Sequence, residues 1–201
     1  MEGEKPVRRI NYIKFVVPVI CLLIAACGGP RSTIDIKSDG TAIPFIEKGS
    51  GATVQKALFS GSDAPNQEHA LRWITIRNFD SDGAKTNPHG DKLTAPEQVK
   101  IFLSLHDEAG TTVDTPLKPG SYKGAKSTGP MSFELINVYV FRDGKEQRLY
   151  LYPSQQTDPA TCEVKIISVE GDTVKGEINV SGKQDGKELI VKGPFTAQIK
   201  R

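Results

Sequence analysis

The residues able to carry metal or acid–base chemistry are few and widely spaced. The chain has three histidines, His69, His89 and His106, and none of them falls in a metal-ligand motif such as H-E-x-x-H. A metal-dependent hydrolase would have to bring His89 together with the loop carboxylates Asp80 and Asp82. We therefore expect solvent-exposed or locally bonded histidines, no metal and no cofactor. The metal-dependent hydrolase is kept as an alternative.

The most polar segment is Asn78–Asp91, whose carboxylates suggest calcium because this ion prefers hard oxygen ligands on a flexible loop. Asp80 and Asp82 match the first two ligand positions of an EF-hand loop. However, Gly83 comes too early and no glutamate closes the loop. A solvated loop is the preferred interpretation.

The sequence contains no clear candidate for a catalytic cysteine or serine nucleophile. Cys162 alternates with Val164 and Ile166 on the apolar side of a strand pattern, where a cysteine behaves as a small hydrophobic residue. The G-x-S-x-G pattern of serine hydrolases is absent from the sequence. We therefore predict no catalytic residue and a protein that is not an enzyme.

Aromatic residues offer the best candidate for a binding surface. Tyr139, Phe141, Tyr150 and Tyr152 cluster around one hairpin, and Trp73 is the only tryptophan. Such rings can stack on a sugar, a peptide or an apolar ligand. Trp73, Tyr139, Tyr150 and Tyr152 are thus candidate ligand-binding residues, although aromatic residues in strands more often form cross-strand core pairs.

The N-terminal segment has the organisation of a secretory signal peptide. Arg8, Arg9 and Lys14 precede the apolar stretch 15–26, which is twelve residues long. A helix of that length rises only about 18 Å, whereas the hydrocarbon core of a membrane is about 30 Å thick. The stretch is therefore predicted to be the apolar region of a cleaved leader.

The residues Leu23-Ile24-Ala25-Ala26-Cys27 resemble the lipobox of bacterial lipoproteins. The resemblance implies that residues 1–26 are removed and that Cys27 receives a diacylglycerol, usually with a further acyl chain such as palmitate on its amino group. Two or more acyl chains anchor a protein stably in a membrane. The resemblance also implies that a lipoprotein with Gly28 after the cysteine reaches the outer membrane, facing the periplasm or the cell surface, if the source is Gram-negative.

Removing the leader also removes the net charge. Residues 1–26 carry four basic and two acidic residues, which accounts for the whole +2 of the full chain. The mature chain is formally neutral, which excludes an electrostatic case for nucleic acid. Cys21 leaves with the leader and Cys27 is lipidated, so Cys162 has no disulfide partner within the chain.

The remaining sequence is dominated by strand patterns. Strict alternation of apolar and polar residues predicts three strands after Ala160, separated by turns at Gly171 and at Asp185-Gly186. Segments 134–141 and 148–152 predict a hairpin that turns at Asp143-Gly144, and segments 33–37 and 71–79 are further strand candidates. Segment 94–105 combines a Thr94–Glu97 capping-box pattern with the alternation of a strand, and we favour a strand with a helical turn before it.

These patterns predict an all-β domain, an antiparallel sandwich or barrel, over residues 33–201, joined by the tether 27–32 to its lipid anchor. The C-terminal half also resembles small β-rich lipoproteins of uncharacterised bacterial families, through residues 116–122 and the closing strands. Lipocalin-type barrels are less similar because Leu71-Arg72 precede Trp73 where that family has G-x-W.

The sequence thus predicts a membrane-anchored lipoprotein of the cell envelope, with a non-enzymatic binding or structural role. Its expected partners are the membrane, through the lipid anchor, and an envelope protein. A small-ligand carrier with a barrel cavity is the second alternative beside the metal-dependent hydrolase.

Overall fold

A computed structural model describes residues 33–61, 64–79, 92–127 and 129–199, with side chains described outside 49–67. The leader, Cys27 and the tether 27–32 lie outside the described residues, as does most of the polar segment 78–91. The eleven strands are β1 (Asp35–Ser38), β2 (Thr41–Ile43), β3 (Gly49–Gly61), β4 (Ala64–Arg77), β5 (Val99–His106), β6 (Gly120–Gly124), β7 (Ser132–Arg142), β8 (Lys145–Leu151), β9 (Glu163–Glu170), β10 (Thr173–Gln184) and β11 (Lys187–Gln198).

All eleven strands belong to one sheet, in the order β2-β1-β11-β10-β9-β6-β7-β5-β4-β3, with β8 paired to β7 beside β6. Every pairing is antiparallel except a short parallel contact between β6 and β7. Two short 3₁₀ turns, Pro153–Gln155 and Pro159–Thr161, connect β8 to β9. The predicted all-β fold is therefore confirmed.

The sheet folds round onto itself because its two ends are neighbours in sequence. Strands β2 and β3 stand at opposite ends of the ten-strand path. If the sheet were flat, strand spacings of about 4.8 Å would place them roughly 43 Å apart. Residues 44–48 join them, and a chain of that length reaches only about 20 Å. The Thr196 backbone N–H, 3.4 Å from the Glu47 carboxylate, ties this connection to β11.

The closing meander of β9, β10 and β11 matches its sequence prediction residue by residue. Val164, Val174, Ile178 and Val191 are fully buried, while Glu177 and the other alternating polar residues of β10 face solvent. We call the buried side of the sheet the inner face and the opposite side the outer face. The predicted turns at Asp143-Gly144 and Asp185-Gly186 have positive φ at both residues, as tight hairpins require, and so does the turn at Asp39-Gly40.

Strand β5 and its approach confirm the preferred reading of segment 94–105, with one change of detail. The strand runs over Val99–His106 after a single turn. Its cap is formed by Gln98, whose side-chain oxygen accepts the N–H groups of Thr94 and Ala95 at 2.6 and 3.2 Å. The predicted partner Glu97 is exposed. The capping residue therefore stands one position later than the sequence pattern indicated.

The inner face carries the main hydrophobic core, whose members come from both ends of the sheet. A second, smaller apolar cluster covers the outer face of β4, β5 and β7 and consists of Leu93, Phe102 and Tyr139, with Trp73, Phe79, Leu135 and Phe141 packed against it. This second cluster explains why all eight residues of β5 are buried. One half of the sheet is thus covered on both faces, and the meander on one.

Candidate functional site

The outer face of β4, β5, β7 and β8 brings together the aromatic residues singled out by the sequence. Because side chains alternate along a strand, Trp73, Tyr139 and Tyr150 project from the same side of the sheet. The strand register places Tyr139 between Lys100 of β5 and Arg148 of β8. We call the set Trp73, Phe102, Tyr139, Tyr150 and Tyr152 the outer aromatic face.

The part of this face over β4, β5 and β7 is packed. Trp73 meets Phe102 edge-to-face, with ring centroids 5.8 Å apart. Tyr139 is 7% exposed, and the ammonium of the buried Lys100 lies 4.3 Å from its ring centroid. Burial raises the pKa of Tyr139 above its ordinary value. Trp73 and Tyr139 therefore combine core packing with a place on the candidate surface.

The part over β8 is more open. Tyr150 and Tyr152 are half-buried and pack edge-to-face at 5.8 Å. The Tyr150 hydroxyl donates to Asp185 in the β10–β11 turn, and this hydrogen bond raises the pKa of Tyr150. The Arg148 guanidinium lies 4.6 Å from the Tyr150 ring centroid. A groove beside Tyr150 continues over Gln184 and Leu189.

Asn137 occupies the middle of the outer aromatic face. The register sets it between Phe102 on β5 and Tyr150 on β8. Its side chain is 1% exposed, and its Oδ1 atom has no hydrogen-bond partner in the part of the chain that the structure describes. A buried acceptor without a donor costs roughly 1–3 kcal/mol, so a polar residue here is not explained by stability.

A buried ion pair lies at one end of the inner face. Arg72 and Asp107 are 2% and 5% exposed, and the Arg72 guanidinium contacts the Asp107 carboxylate at 2.5 Å. Arg72 also donates to the Thr115 carbonyl, and the Tyr122 hydroxyl donates to Asp107 at 2.6 Å. Burial, together with the Asp107 carboxylate, raises the pKa of Tyr122 far above its ordinary value. The three side chains satisfy one another and hold the β5–β6 connection against the core.

Two histidines that are far apart in sequence form a buried pair on the outer face. The Nε2 atom of His69 and the Nδ1 atom of His106 are 2.8 Å apart, and the residues are 0% and 6% exposed. The expectation of exposed or locally bonded histidines is therefore wrong for both. The strand register explains the contact: His106 stands opposite Leu71, so His69 is its diagonal neighbour across β4 and β5.

Glu134 extends the histidine pair into a chain of four side chains. A β-bulge makes Glu134 the extra residue, because Ser104 pairs with Leu135 and Leu105 pairs with Phe133. The Glu134 carboxylate lies 3.2 Å from His106 Nε2 and accepts the Ser104 hydroxyl at 2.7 Å. Hydrogen bonds from His106 and then Ser104, opposed by burial, lower the pKa of Glu134.

This chain does not have the connectivity of a serine nucleophile. In a catalytic triad the serine donates its proton to an imidazole, which then acts as the base. Here the Ser104 hydroxyl donates to a carboxylate that also binds His106. The arrangement can hold and relay a proton between the two imidazoles and the carboxylate.

Of the remaining candidates, the structure describes only Cys162. Cys162 is fully buried with its Sγ atom 3.5 Å from the Ser181 carbonyl, and burial raises the pKa of the thiol, as expected for a structural cysteine. Strand β5 continues to His106, and Asp107 directly after it is buried. Asp80, Asp82 and His89 lie outside the described residues.

Within the described ranges, no group of three or more histidine, cysteine, aspartate or glutamate side chains could hold a metal ion. The same ranges contain no helix long and apolar enough to cross a membrane.

The two buried polar clusters had no recognisable signal in the sequence. Arg72 and Asp107 are 35 positions apart, and His69 and His106 are 37 apart. Both pairs lie in strands β4 and β5 or directly after them, so only the pairing register could have predicted them.

Comparisons with protein-family models, with curated proteins and with solved structures found no match to this chain. The similarities to lipoproteins remain predictions from the residues that carry them.

Proposed function

We propose that the protein is a lipid-anchored lipoprotein of the cell envelope that binds an envelope protein through its outer aromatic face and is not an enzyme. The outer aromatic face carries this proposal. Its rings are packed together over β5 and β7 and become accessible at Tyr150 and Tyr152. The Arg148 guanidinium and the groove beside Tyr150 border this accessible part. Rigid, partly exposed aromatic residues with a polar rim are typical of binding hot spots.

The anchor would hold this domain close to the membrane. Cys27 is six residues before Thr33, where the described chain begins, so the tether reaches at most about 21 Å. Such a short tether suits a role on a nearby envelope protein. Gly28 after the cysteine supports the outer membrane as the destination in a Gram-negative source.

The two alternatives receive less support. A carrier with a barrel cavity would need open space on the inner face, where apolar side chains such as Ile74, Leu103, Ile136 and Ile178 pack together. The metal-dependent hydrolase would use His89 with Asp80 and Asp82, which lie outside the described residues, and the described His106 adds no ligand because His69 and Glu134 engage both of its ring nitrogens.

Metabolic labelling with a fatty-acid analogue tests the anchor. The wild-type chain should be labelled, and Cys27→Ser should lose the label because it removes the sulfur that accepts the diacylglycerol. Cys162→Ser is the matched control and should keep the label, since that thiol is buried in the core. Label that persists in Cys27→Ser would exclude the lipoprotein assignment.

Membrane fractionation tests the destination in a Gram-negative source. The labelled chain should be recovered with the outer membrane. Recovery with the inner membrane would contradict the interpretation of Gly28 and leave the anchor itself standing.

A further inference from the structure

The buried histidine pair can accept only one proton without breaking. With both imidazoles neutral, one ring donates an N–H across the 2.8 Å between His69 Nε2 and His106 Nδ1, and the other accepts. One added proton can be accommodated by exchanging these roles. When both rings are protonated, two N–H donors and two positive charges face each other, and the hydrogen bond is lost.

The pair stands where the β5–β6 connection is fastened to β4. Asp107, directly after His106, donates its N–H to the Ala70 carbonyl at 2.9 Å, and Gly110 donates to the Glu68 carbonyl at 2.8 Å. The Ala70 N–H in turn donates to the Thr111 hydroxyl at 3.0 Å. These three bonds attach the connection to the two residues that flank His69.

We propose that the His69–His106 pair is an acid-sensitive latch: together with Arg72 it fastens the connection 107–118 to β4, and uptake of a second proton by the pair loosens this attachment. The release does not depend on the proposed anchor or on the proposed partner. Histidine suits this role because it is the side chain whose ordinary pKa, about 6.5, lies within the physiological pH range.

The other charged groups near the pair do not change the number of protons at which the hydrogen bond between the two rings breaks. Within the described side chains these groups are Glu68 and Arg72 from β4, Lys100 from β5, Glu134 from β7, and Asp107 and Glu108 from the connection. Arg72 and Asp107 neutralise each other on the inner face, and Lys100 lies over Tyr139. The Glu134 carboxylate lies 3.2 Å from His106 Nε2, on the side of that ring away from His69.

The effects of Glu134 and of the histidines fall in different pH ranges. The lowered pKa of Glu134 means that its stabilising contribution is present above its unfolded pKa of about 4.3 and is lost only as pH falls further. The hydrogen bond between the two rings needs one unprotonated ring nitrogen, so the closed pair can hold one added proton whereas the open pair can hold two, and acid therefore favours opening. Each additional proton taken up on opening changes the equilibrium about tenfold per pH unit.

Amide hydrogen exchange of the full-length chain in mild detergent tests the latch. Between pH 7.5 and 5.5, after correction for intrinsic exchange rates, segment 107–118 should lose at least about tenfold in protection relative to β10. His69→Gln should abolish this difference, because a glutamine amide can still donate to His106 but cannot take a proton. Equal pH dependence in wild type and His69→Gln would overturn the proposal.

Ile178→Ala is the control for general destabilisation, since it weakens the core of β10 without touching the pair. It should lower protection at both pH values and leave the difference for 107–118 unchanged. If His69→Gln fails to fold, ¹⁵N NMR of the wild-type histidine rings decides. Protonation of both rings while segment 107–118 stays protected would overturn the latch.

Discussion

The closing meander and the β4–β5–β7 part of the sheet are built on different principles. In the meander, one face is buried and the other is exposed, so β10 alternates from Thr173 to Val180. In the other half, both faces are covered, and β5 is buried from end to end. The difference teaches that the second half must satisfy buried polar groups, because it cannot turn them toward water. It does so with the Arg72–Asp107 ion pair and the His69–His106–Glu134 chain.

Breaking the buried ion pair should have the largest effect. Asp107→Ala leaves the Arg72 guanidinium buried without its carboxylate and removes the acceptor of the Tyr122 hydroxyl. We expect a loss of about 3–5 kcal/mol in the free energy of unfolding, measured by urea unfolding of the full-length chain in mild detergent.

The control is Asp114→Ala, which alters an exposed aspartate in the same connection and should change stability by less than about 0.5 kcal/mol. A similar effect at both positions would show that burial of the pair does not govern stability here.

The meander should depend on apolar packing instead. Ile178 is fully buried between Val164 and Gly193, so Ile178→Ala should cost about 2–5 kcal/mol through lost burial and a residual cavity. Glu177 projects from the outer face, and Glu177→Ala should stay within about 0.5 kcal/mol of wild type. The same urea experiment measures both, and the reverse order would contradict the register of β10.

A glycine in the meander offers a smaller test of packing. A Cβ atom at Gly176 would lie 2.4 Å from the Phe195 ring and 2.7 Å from the Lys165 carbonyl. Gly176→Ala should therefore cost about 1–3 kcal/mol through overpacking.

Gly182→Ala is the comparison, because there the nearest atoms are the ends of the Gln156 and Leu151 side chains and not backbone. Unfolding experiments should find the smaller loss at Gly182. Equal losses would mean that the backbone carbonyl at Lys165 yields as easily as a side chain.

The smallest effect is expected at Asn137. Replacing its unpartnered buried amide by leucine, of similar size, should leave stability within about 0.5 kcal/mol of wild type or raise it. A loss above about 2 kcal/mol in thermal or urea unfolding would mean that the amide has a structural role. A neutral result would mean that the Asn137 amide does not stabilise the fold, as expected if its role lies in the outer aromatic face.

The sequence predicted the strands wherever its pattern was controlled by a single buried face. The alternation from Cys162 to Ile199 and the Asp-Gly turns were enough to place β9, β10 and β11. The order of the sheet could not be predicted, because β6 joins β7 to β9 through contacts that leave no local pattern.

The candidate site was predicted only in part, for a similar physical reason. The four aromatic residues were recognised by type, and the register then placed Trp73, Tyr139 and Tyr150 on one side of the sheet. The histidine pair and the ion pair were missed because they join positions on strands whose pairing is not encoded locally. Glu134 adds a bulge, which shifts the alternation of β7 by one residue.

Site-specific photocrosslinking in cells that naturally make the protein tests the central claim, that the outer aromatic face binds an envelope protein. A photoreactive residue at position 152 lies at the open end of that face, and one at position 175 lies on the exposed outer side of the meander. We predict a discrete crosslinked product at 152 that is lost with Tyr150→Ala, and none at 175. No product at 152, or the same product at both positions, would contradict the account.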